Sequence, residues 1–371
     1  MKKILISAGE ASGDFYGAKL AGEILRVKKK KVSITGFGGP KMKESGIDIK
    51  LNQVEHAAMG FWEVIRNIFT HLGLYMKAVD LLKKEMPDVL IVIDSPAFHM
   101  PLIKQAKKIG IKKVIYYSTP QVWVWKPGRI NELKKFTDLC IVVLPFEEKL
   151  LKDAGINARY FGHPMAPYLT PAKPSKREKI VGIFPGSRVN EVNSFTEDML
   201  KACALIKLSM KNVKFVLFKA GTIRDELIKP YLDKYQGLGI KVADGTDLKI
   251  KSSLSAAIAK SGTITLELAI MGIPMAIVYR VSELSYLMMK NIIKLKYVGL
   301  PNILLDKPAV KEFLQHDFKA DKVAHEIIAV LKDKKYATGI RADLDRLRVK
   351  PKDAKNVVVN IAKEIIREAV L

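Results

Sequence analysis

Asp94 closes the apolar run V-L-I-V-I at 89–93 and is followed by Ser95 and Pro96. A carboxylate at the carboxyl end of a buried parallel strand stands where α/β proteins bind their ligands, and it is suited to act as a general base. The plainer reading of Asp94 is a turn or capping residue. His99, past the turn, is an alternative base. Nearer the amino terminus, Glu10 and Asp14 flank Ser12 in A-G-E-A-S-G-D at 8–14. Acid in a strand-to-helix loop suits sugar hydroxyls or proton transfer better than phosphate, although Ser12 and Asp14 also fit helix capping. Gly9, Gly13 and Gly17 do not make G-x-G-x-x-G, so the dinucleotide fingerprint is absent.

The second half of the chain carries residues of the opposite character. The apolar run at 179–184 leads into P-G-S-R at 185–188. Ser187 and Arg188 make a candidate anion site there, because a guanidinium can grip a diphosphate with two hydrogen bonds; a solvated surface arginine is the alternative. A strand-turn-helix spans 256–272, with Ser261, Gly262 and Thr263 in the turn and Gly272 and Pro274 stopping the helix. A helix amino terminus offers free N–H groups to phosphate, and Gly262 lets a phosphate come close. Glu267, one turn into that helix, could accept hydrogen bonds from the hydroxyls of a ribose. The pattern equally suits an ordinary βα turn with Ser261 as N-cap. Asn302, in the rigid L-P-N at 300–302, is a further candidate for a hydrogen bond to the same ligand.

These residues need strands to hold them, and apolar runs bounded by turn residues supply them. Strands are expected at 4–7, 32–37, 89–93, 114–117, 139–144 and just before 160, with helical patterns between. Residues 165–179, with Pro167, Pro171 and Pro174 and no period, read as a linker. The alternation then restarts, with strands at 179–184, 213–219, 240–243, 254–259 and 274–279. From about 309 the chain reads as helical and strongly charged. The expected architecture is α/β: two doubly wound, Rossmann-like domains facing each other across a cleft. The first spans 1–165 and the second 166–350. A C-terminal helix in 351–371, with an apolar stripe through Val357, Val358, Ile361, Ile365 and Ile366, needs a domain to dock on and is free to cross back to the first.

The chain has 371 residues, 49% of them hydrophobic and 27% charged, a globular composition with an ample core. No apolar run reaches the roughly 18 residues of a membrane-spanning helix. The apolar run at the amino terminus is too short for a signal peptide and reads as a first strand. Cys140 and Cys203 suggest neither a disulfide framework nor a metal site, so a reducing cytoplasm is expected. The formal net charge of +25 fits an anionic membrane surface or a merely Lys-rich solvated surface. No RNP-type motif, zinc pattern or basic-aromatic alternation accompanies the lysines, which argues against nucleic acid. An unusually wide apolar face runs along 64–85, through Ile68, Phe69 and Leu72. Just before it, Phe61 and Trp62 beside Gly60 could line a cleft for acyl chains or dip into a bilayer interface, with core packing as the alternative.

Several motifs follow one another in a specific order: S-A-G-E-A-S-G-D at 7–14, G-F-W-E-V at 60–64, I-D-S-P at 93–96, Y-Y-S-T-P-Q-V-W-V-W at 116–125, L-P-F-E at 144–147, F-P-G-S-R at 184–188, S-G-T-I-T-L-E at 261–267 and L-P-N at 300–302. Through them the chain resembles, along its whole length, the lipid-A-disaccharide synthases, membrane-associated glycosyltransferases of GT-B type. The resemblance implies an inverting hexosyltransferase of lipid A biosynthesis. It would join UDP-2,3-diacylglucosamine to 2,3-diacylglucosamine 1-phosphate (lipid X), releasing UDP and leaving a β-1,6-linked tetraacyl disaccharide phosphate. No cofactor and no metal are implied, and the expected place is the inner face of the inner membrane, held peripherally on its anionic surface; a homo-oligomer is left open. Asp94 would take the proton from the acceptor 6-hydroxyl, with Glu10 and Ser12 on the acceptor side. Arg188, beside Ser187, would stabilise the leaving diphosphate. Ser261, Gly262, Thr263 and Glu267 would hold UDP, and Asn302 would complete the donor site. The family often reads D-x-P-D-F-N where this chain has Ala97 and His99, which favours Asp94 as the working carboxylate. The nearest rivals are other UDP-sugar enzymes of the same architecture, a UDP-N-acetylglucosamine epimerase or the peptidoglycan glycosyltransferase. A rival of another class is a basic binding module with no chemistry.

Overall fold

The computed structural model describes residues 1–28, 31–53, 68–123, 128–174, 178–281, 296–348 and 356–370. The chain divides into two compact units, Met1–Pro167 together with Lys350–Leu371, and Tyr168–Val349.

The first unit is built on β1 (Lys2–Ala8), β2 (Val32–Gly38), β3 (Asp48–Asn52), β4 (Val89–Ile93), β5 (Lys113–Tyr117), β6 (Leu139–Val142) and β7 (Ala158–Tyr160). They form one parallel sheet in the order β3-β2-β1-β4-β5-β6-β7. Near-continuous apolar strands are what a sheet covered on both faces demands. Alternate residues enter two separate cores, Ile4, Ile6, Ile91 and Ile93 in one and Leu5, Leu90 and Val92 in the other. Each fully buried side chain of this size contributes about 1.5–3 kcal/mol. The helices are α1 (Ala11–Lys28), α2 (Pro40–Glu44), α3 (Ile68–Glu85), α4 (Pro96–Ile109), α5 (Arg129–Phe136) and α6 (Pro145–Asp153). On α3, Leu74, Ala78 and Leu82 are buried, whereas Leu72 and Met76 are 54% and 57% exposed. The wide apolar face of α3 therefore holds a core stripe and, beside it, apolar side chains left in solvent.

The second unit repeats the plan. Its strands are β8 (Lys179–Phe184), β9 (Val213–Lys219), β10 (Lys241–Asp244), β11 (Ala256–Lys260), β12 (Met275–Tyr279) and β13 (Glu312–Leu314). They pair in parallel in the order β10-β9-β8-β11-β12-β13. The helices are α7 (Val189–Ser209), α8 (Asp225–Lys234), α9 (Leu248–Ser252), α10 (Thr263–Ile270), α11 (Leu300–Leu305), α12 (Ala320–Lys332) and α13 (Lys334–Asp345). The edge strand β13 corrects the expectation of an all-helical segment past 309. Three residues are too few to show a period, and pairing with β12 is what makes them a strand. The final helix, α14 (Val357–Glu368), packs on α1, with Val357, Ile361 and Ile365 in a core of the first unit. A Lys113–Glu368 ion pair at 2.9 Å fastens its carboxyl end.

In both sheets the winding direction reverses once, between β1 and β4 and between β8 and β11. Loops leaving the carboxyl ends of such strand pairs border the crevice where open α/β sheets bind ligands.

Candidate functional site

In the first unit the loops after β1 and β4 touch. A Cβ on Gly9 would collide with the Ser95 side chain, so this contact requires glycine. Glu10, Ser12 and Asp94 are all partly exposed here. Asp94 and Ser95 both have left-handed backbone, with φ of 53° and 45°. Two such residues in succession cost on the order of 1–3 kcal/mol each and need outside support. It comes from named groups. The Asp94 N–H donates to the Tyr117 carbonyl at 3.1 Å. The Asp94 carbonyl accepts from the Tyr116 hydroxyl at 2.8 Å and lies 2.7 Å from His99 Nδ1. The Ser95 N–H donates to Asp94 Oδ1 at 2.8 Å. Pro96 then opens α4, its fixed φ suiting the first helical position.

His99 is corrected as an alternative base. It is fully buried, and its Nε2 lies 2.8 Å from the Ser7 hydroxyl while Nδ1 meets the Asp94 carbonyl. Burial lowers its pKa to about 4, so the ring is neutral near pH 7 and has no route to a substrate. Asp14 is likewise buried. Its carboxylate accepts backbone N–H groups from Gly39 and Lys41 at 2.8 Å and Met42 at 3.1 Å. It caps α2 rather than its own helix, which leaves Glu10 as the exposed acid of that loop.

In the second unit the P-G-S-R loop is organised by a residue the sequence reading passed over. Glu191 Oε2 accepts from the Ser187 and Arg188 N–H groups at 2.9 and 3.3 Å, and Oε1 pairs with Lys260 Nζ at 2.8 Å. Gly186, at φ 123°, makes room: a Cβ there would collide with the Glu191 carboxylate. Glu191 thus ties the loop after β8 to the end of β11. Burial acts to raise its pKa, but Lys260 and the hydrogen bonds outweigh it and hold the carboxyl below its usual range. The Arg188 guanidinium is 55% exposed and 3.9 Å from Glu191 Oε1. Spacing carried the signal, since an acid three residues past the loop is half of a capping box. Lys260 had no such signature.

At the turn after β11 the N-cap of α10 is Gly262, not Ser261. A Cβ on Gly262 would meet nothing within 4 Å, and Thr263 is exposed. Ser261 is buried, and its hydroxyl donates to the Val298 carbonyl at 3.0 Å. Glu267 pairs at 3.0 Å with Lys251, whose side chain is buried. Asn302, expected to face the ligand, is fully buried, and its side-chain amide is engaged within the unit. Its amide nitrogen donates to the Val310 carbonyl and Glu312 Oε1, both at 2.8 Å, and its oxygen accepts the Val310 N–H at 3.0 Å. Glu312 also accepts the N–H groups of Val298 and Gly299, at 2.8 and 2.9 Å. Asn302, Glu312 and Ser261 therefore brace the segment 298–302 against the sheet.

The tryptophan-rich loop and L-P-F-E meet in the first unit. Trp123 Nε1 donates to Glu147 at 3.0 Å, and the Trp123 ring sits edge-on to Phe146. Burial lifts the Glu147 pKa to about 7. Phe61 and Trp62 lie outside the described residues, as do the side chains of Ile68 and Phe69. Among the described residues no group of three or more His, Cys, Asp or Glu side chains could hold a metal ion, and no helix is long and apolar enough to cross a membrane.

Residues 4–370 match the family described as lipid-A-disaccharide synthetase. A lipid-A-disaccharide synthase of Trichlorobacter lovleyi is 34% identical over 94% of this chain and 92% of its own. One from Coxiella burnetii is 35% identical over 98% of each. Among solved structures, S. aureus MnaA with UDP superposes with a TM-score of 0.69 at 12% identity, covering 98% of this chain and 97% of its own. A UDP-GlcNAc 2-epimerase from Neisseria meningitidis bound to UDP-GlcNAc gives 0.66 at 11%, covering 99% and 100%. At such identities these structures speak for the shared GT-B fold and do not favour the rival epimerase activity. With its family match running almost from end to end, the chain belongs to the lipid-A-disaccharide synthases, glycosyltransferases of lipid A biosynthesis.

Proposed function

We propose that the first unit binds the acyl-sugar acceptor and the second binds the UDP-sugar donor, and that Asp94 is the base joining the two. The acceptor is lipid X and the donor UDP-2,3-diacylglucosamine. Asp94 accepts the proton of the acceptor 6-hydroxyl as its oxygen attacks the donor's anomeric carbon. The bond from that carbon to the β-phosphate oxygen breaks, UDP leaves with the electron pair, and the configuration inverts. Charge growing on the diphosphate is met by the Arg188 guanidinium and the Ser187 hydroxyl, with the open turn at Gly262 and Thr263 as backbone partner. Glu10 and Ser12 orient the acceptor. Glu267, held by Lys251, takes the ribose hydroxyls.

The observation that carries this reading is the contrast between the two switch points. Partly exposed carboxylates, Glu10 and Asp94, border the first; an exposed arginine and an unobstructed glycine turn border the second. Proton abstraction needs the former and a departing diphosphate the latter. The test is UDP release with both acylated sugars present, in the wild type and in Asp94→Ala. Release that requires both sugars, and is lost in the variant while UDP still binds, is the expected result. Near-wild-type release by Asp94→Ala would move the base to Glu10.

The exposed Leu72 and Met76 on α3 and the net charge of +25 further support a peripheral hold on an anionic leaflet, the cytoplasmic face of the inner membrane. Purified protein is expected to co-sediment with anionic vesicles at physiological salt and to release them as salt is raised. Indifference to such vesicles would remove this part of the proposal.

A further inference from the structure

The strained turn at Asp94 poses a problem of aim. A carboxylate one bond beyond a left-handed backbone points wherever that backbone is held, and two consecutive left-handed non-glycine residues do not hold themselves. The Asp94 carbonyl is gripped from two elements. Tyr116, on the neighbouring strand β5, donates its hydroxyl at 2.8 Å. His99, in the first turn of α4, stands with Nδ1 at 2.7 Å. A carbonyl oxygen only accepts, so Nδ1 carries the proton. Nε2 of the neutral ring is then an acceptor, and the Ser7 hydroxyl, 2.8 Å away, donates to it. Gln53 Oε1 is placed 3.0 Å from the Ser7 hydroxyl on its far side; because Ser7 has a single proton and gives it to Nε2, that contact is satisfied with the Gln53 amide flipped so that its nitrogen donates to Ser7. Every member of this chain from Gln53 to His99 is buried. The Asp94 carbonyl fixes this tautomer of His99, and Ser7 on β1 is placed to donate to the other ring nitrogen.

We propose that His99 is a positioning residue for Asp94: its Nδ1–H, together with the Tyr116 hydroxyl, fixes the Asp94 carbonyl and so sets the direction of the Asp94 carboxylate. The inference rests on the reading of Asp94 as base. It assigns His99 no contact with substrate.

The two ring nitrogens can be separated by substitution. The amide nitrogen of Asn at 99 falls near Nδ1, and that of Gln near Nε2. Glycosyl transfer is measured with UDP-2,3-diacylglucosamine and lipid X for the wild type, Asp94→Asn, His99→Leu, His99→Asn, His99→Gln and Tyr116→Phe, with urea unfolding of the full chain as the check that the first unit of each variant is folded. His99→Leu is expected to lose roughly 100-fold in kcat, the scale of a reacting group displaced by about an ångström, with KM for the donor little changed. His99→Asn should recover most of that loss and His99→Gln should not. Tyr116→Phe, which deletes the other donor to the same carbonyl, should lower kcat in the same selective way even if a His99 variant fails to fold. Recovery by Gln rather than Asn, or wild-type kcat in a folded Tyr116→Phe, would overturn the proposal while leaving Asp94 as base. Full activity in Asp94→Asn would instead remove the base reading itself, and the positioning role with it.

Discussion

Glu191→Gln tests how the second unit's anion loop is held. The substitution keeps size and removes charge. The new amide can still accept from Ser187 or Arg188 through its oxygen, but its nitrogen cannot accept from Lys260. Lys260 and Glu191 have side chains only 17% and 16% exposed, so the ammonium is left largely out of water without its carboxylate. Removing one partner of a buried pair costs about 3–5 kcal/mol, and a hydrogen bond to a charged group is worth about 1.5–3. With a sixth of each side chain still wet, the expected loss is about 2–3 kcal/mol. Urea unfolding of the full chain at pH 7.5 and pH 4 measures it. The sign with pH is fixed by the depressed pKa of the Glu191 carboxyl. Its stabilising contribution is present above the ordinary glutamate value and is lost as pH falls through the folded one. The gap between wild type and variant should therefore narrow in acid. A gap below about 0.5 kcal/mol at pH 7.5, smaller than one net hydrogen bond, or one that does not shrink at low pH, would refute the reasoning.

Other expectations follow from the same geometry. Asn302→Leu removes the partners of the Val310 N–H and carbonyl and of Glu312, and should destabilise the chain by roughly 2–4 kcal/mol in urea unfolding; a loss confined to UDP affinity would restore Asn302 to the ligand. Glu147, with its pKa near 7 in the folded chain, stabilises as the neutral acid below its ordinary value and loses that contribution as pH rises through 7. Glu147→Gln should accordingly gain on the wild type, by on the order of 3 kcal/mol between pH 4.5 and pH 8. A difference that is flat with pH would mean the acid is not shielded as the Trp123 contact implies.

How much of this was legible in the sequence depended on the length scale of the signal. The long buried strands were, since runs such as V-L-I-V-I admit little else. So was the placement of Asp94 and of P-G-S-R at strand ends, because an apolar run that stops at a turn announces its own carboxyl end. β3 and β13 were not, because short edge strands are made by a partner rather than by their own period. The wide apolar face of α3 could be read from spacing, but which of its members stay in solvent could not. Side-chain partners were the least legible. Nothing in the run of letters says that the Asn302 amide would be spent on Val310, or that Ser261 would turn to Val298 instead of capping α10. Both choices are made by the segment at 298–312, which folds back on itself to meet Asn302 and lies against the distant Ser261. His99 illustrates the same limit, since the ring that meets the Asp94 carbonyl is also spent on Ser7, a residue remote in sequence.

The same winding rule serves both units, yet it delivers opposite chemistry, and the reason lies in what each loop does with its backbone amides. In the first unit the loop acid Asp14 turns away to cap α2, and the strained Asp94 turn spends its carbonyl on Tyr116 and His99. The outward groups are then carboxylates, which suit a hydroxyl that must lose a proton. In the second unit Glu191 turns inward onto the Ser187 and Arg188 amides and neutralises Lys260, which leaves the exposed Arg188 as the outward charge. At the neighbouring turn the helix begins at a glycine N-cap on which a Cβ would meet nothing within 4 Å, so a ligand can approach the helix amino terminus closely. An anion is stabilised at such a place without a carboxylate competing from the surface. The division of labour is therefore written less in which charges are present than in how the fold engages them, since Glu191 is turned onto Lys260 and the loop amides and Arg188 is the more exposed charge beside it.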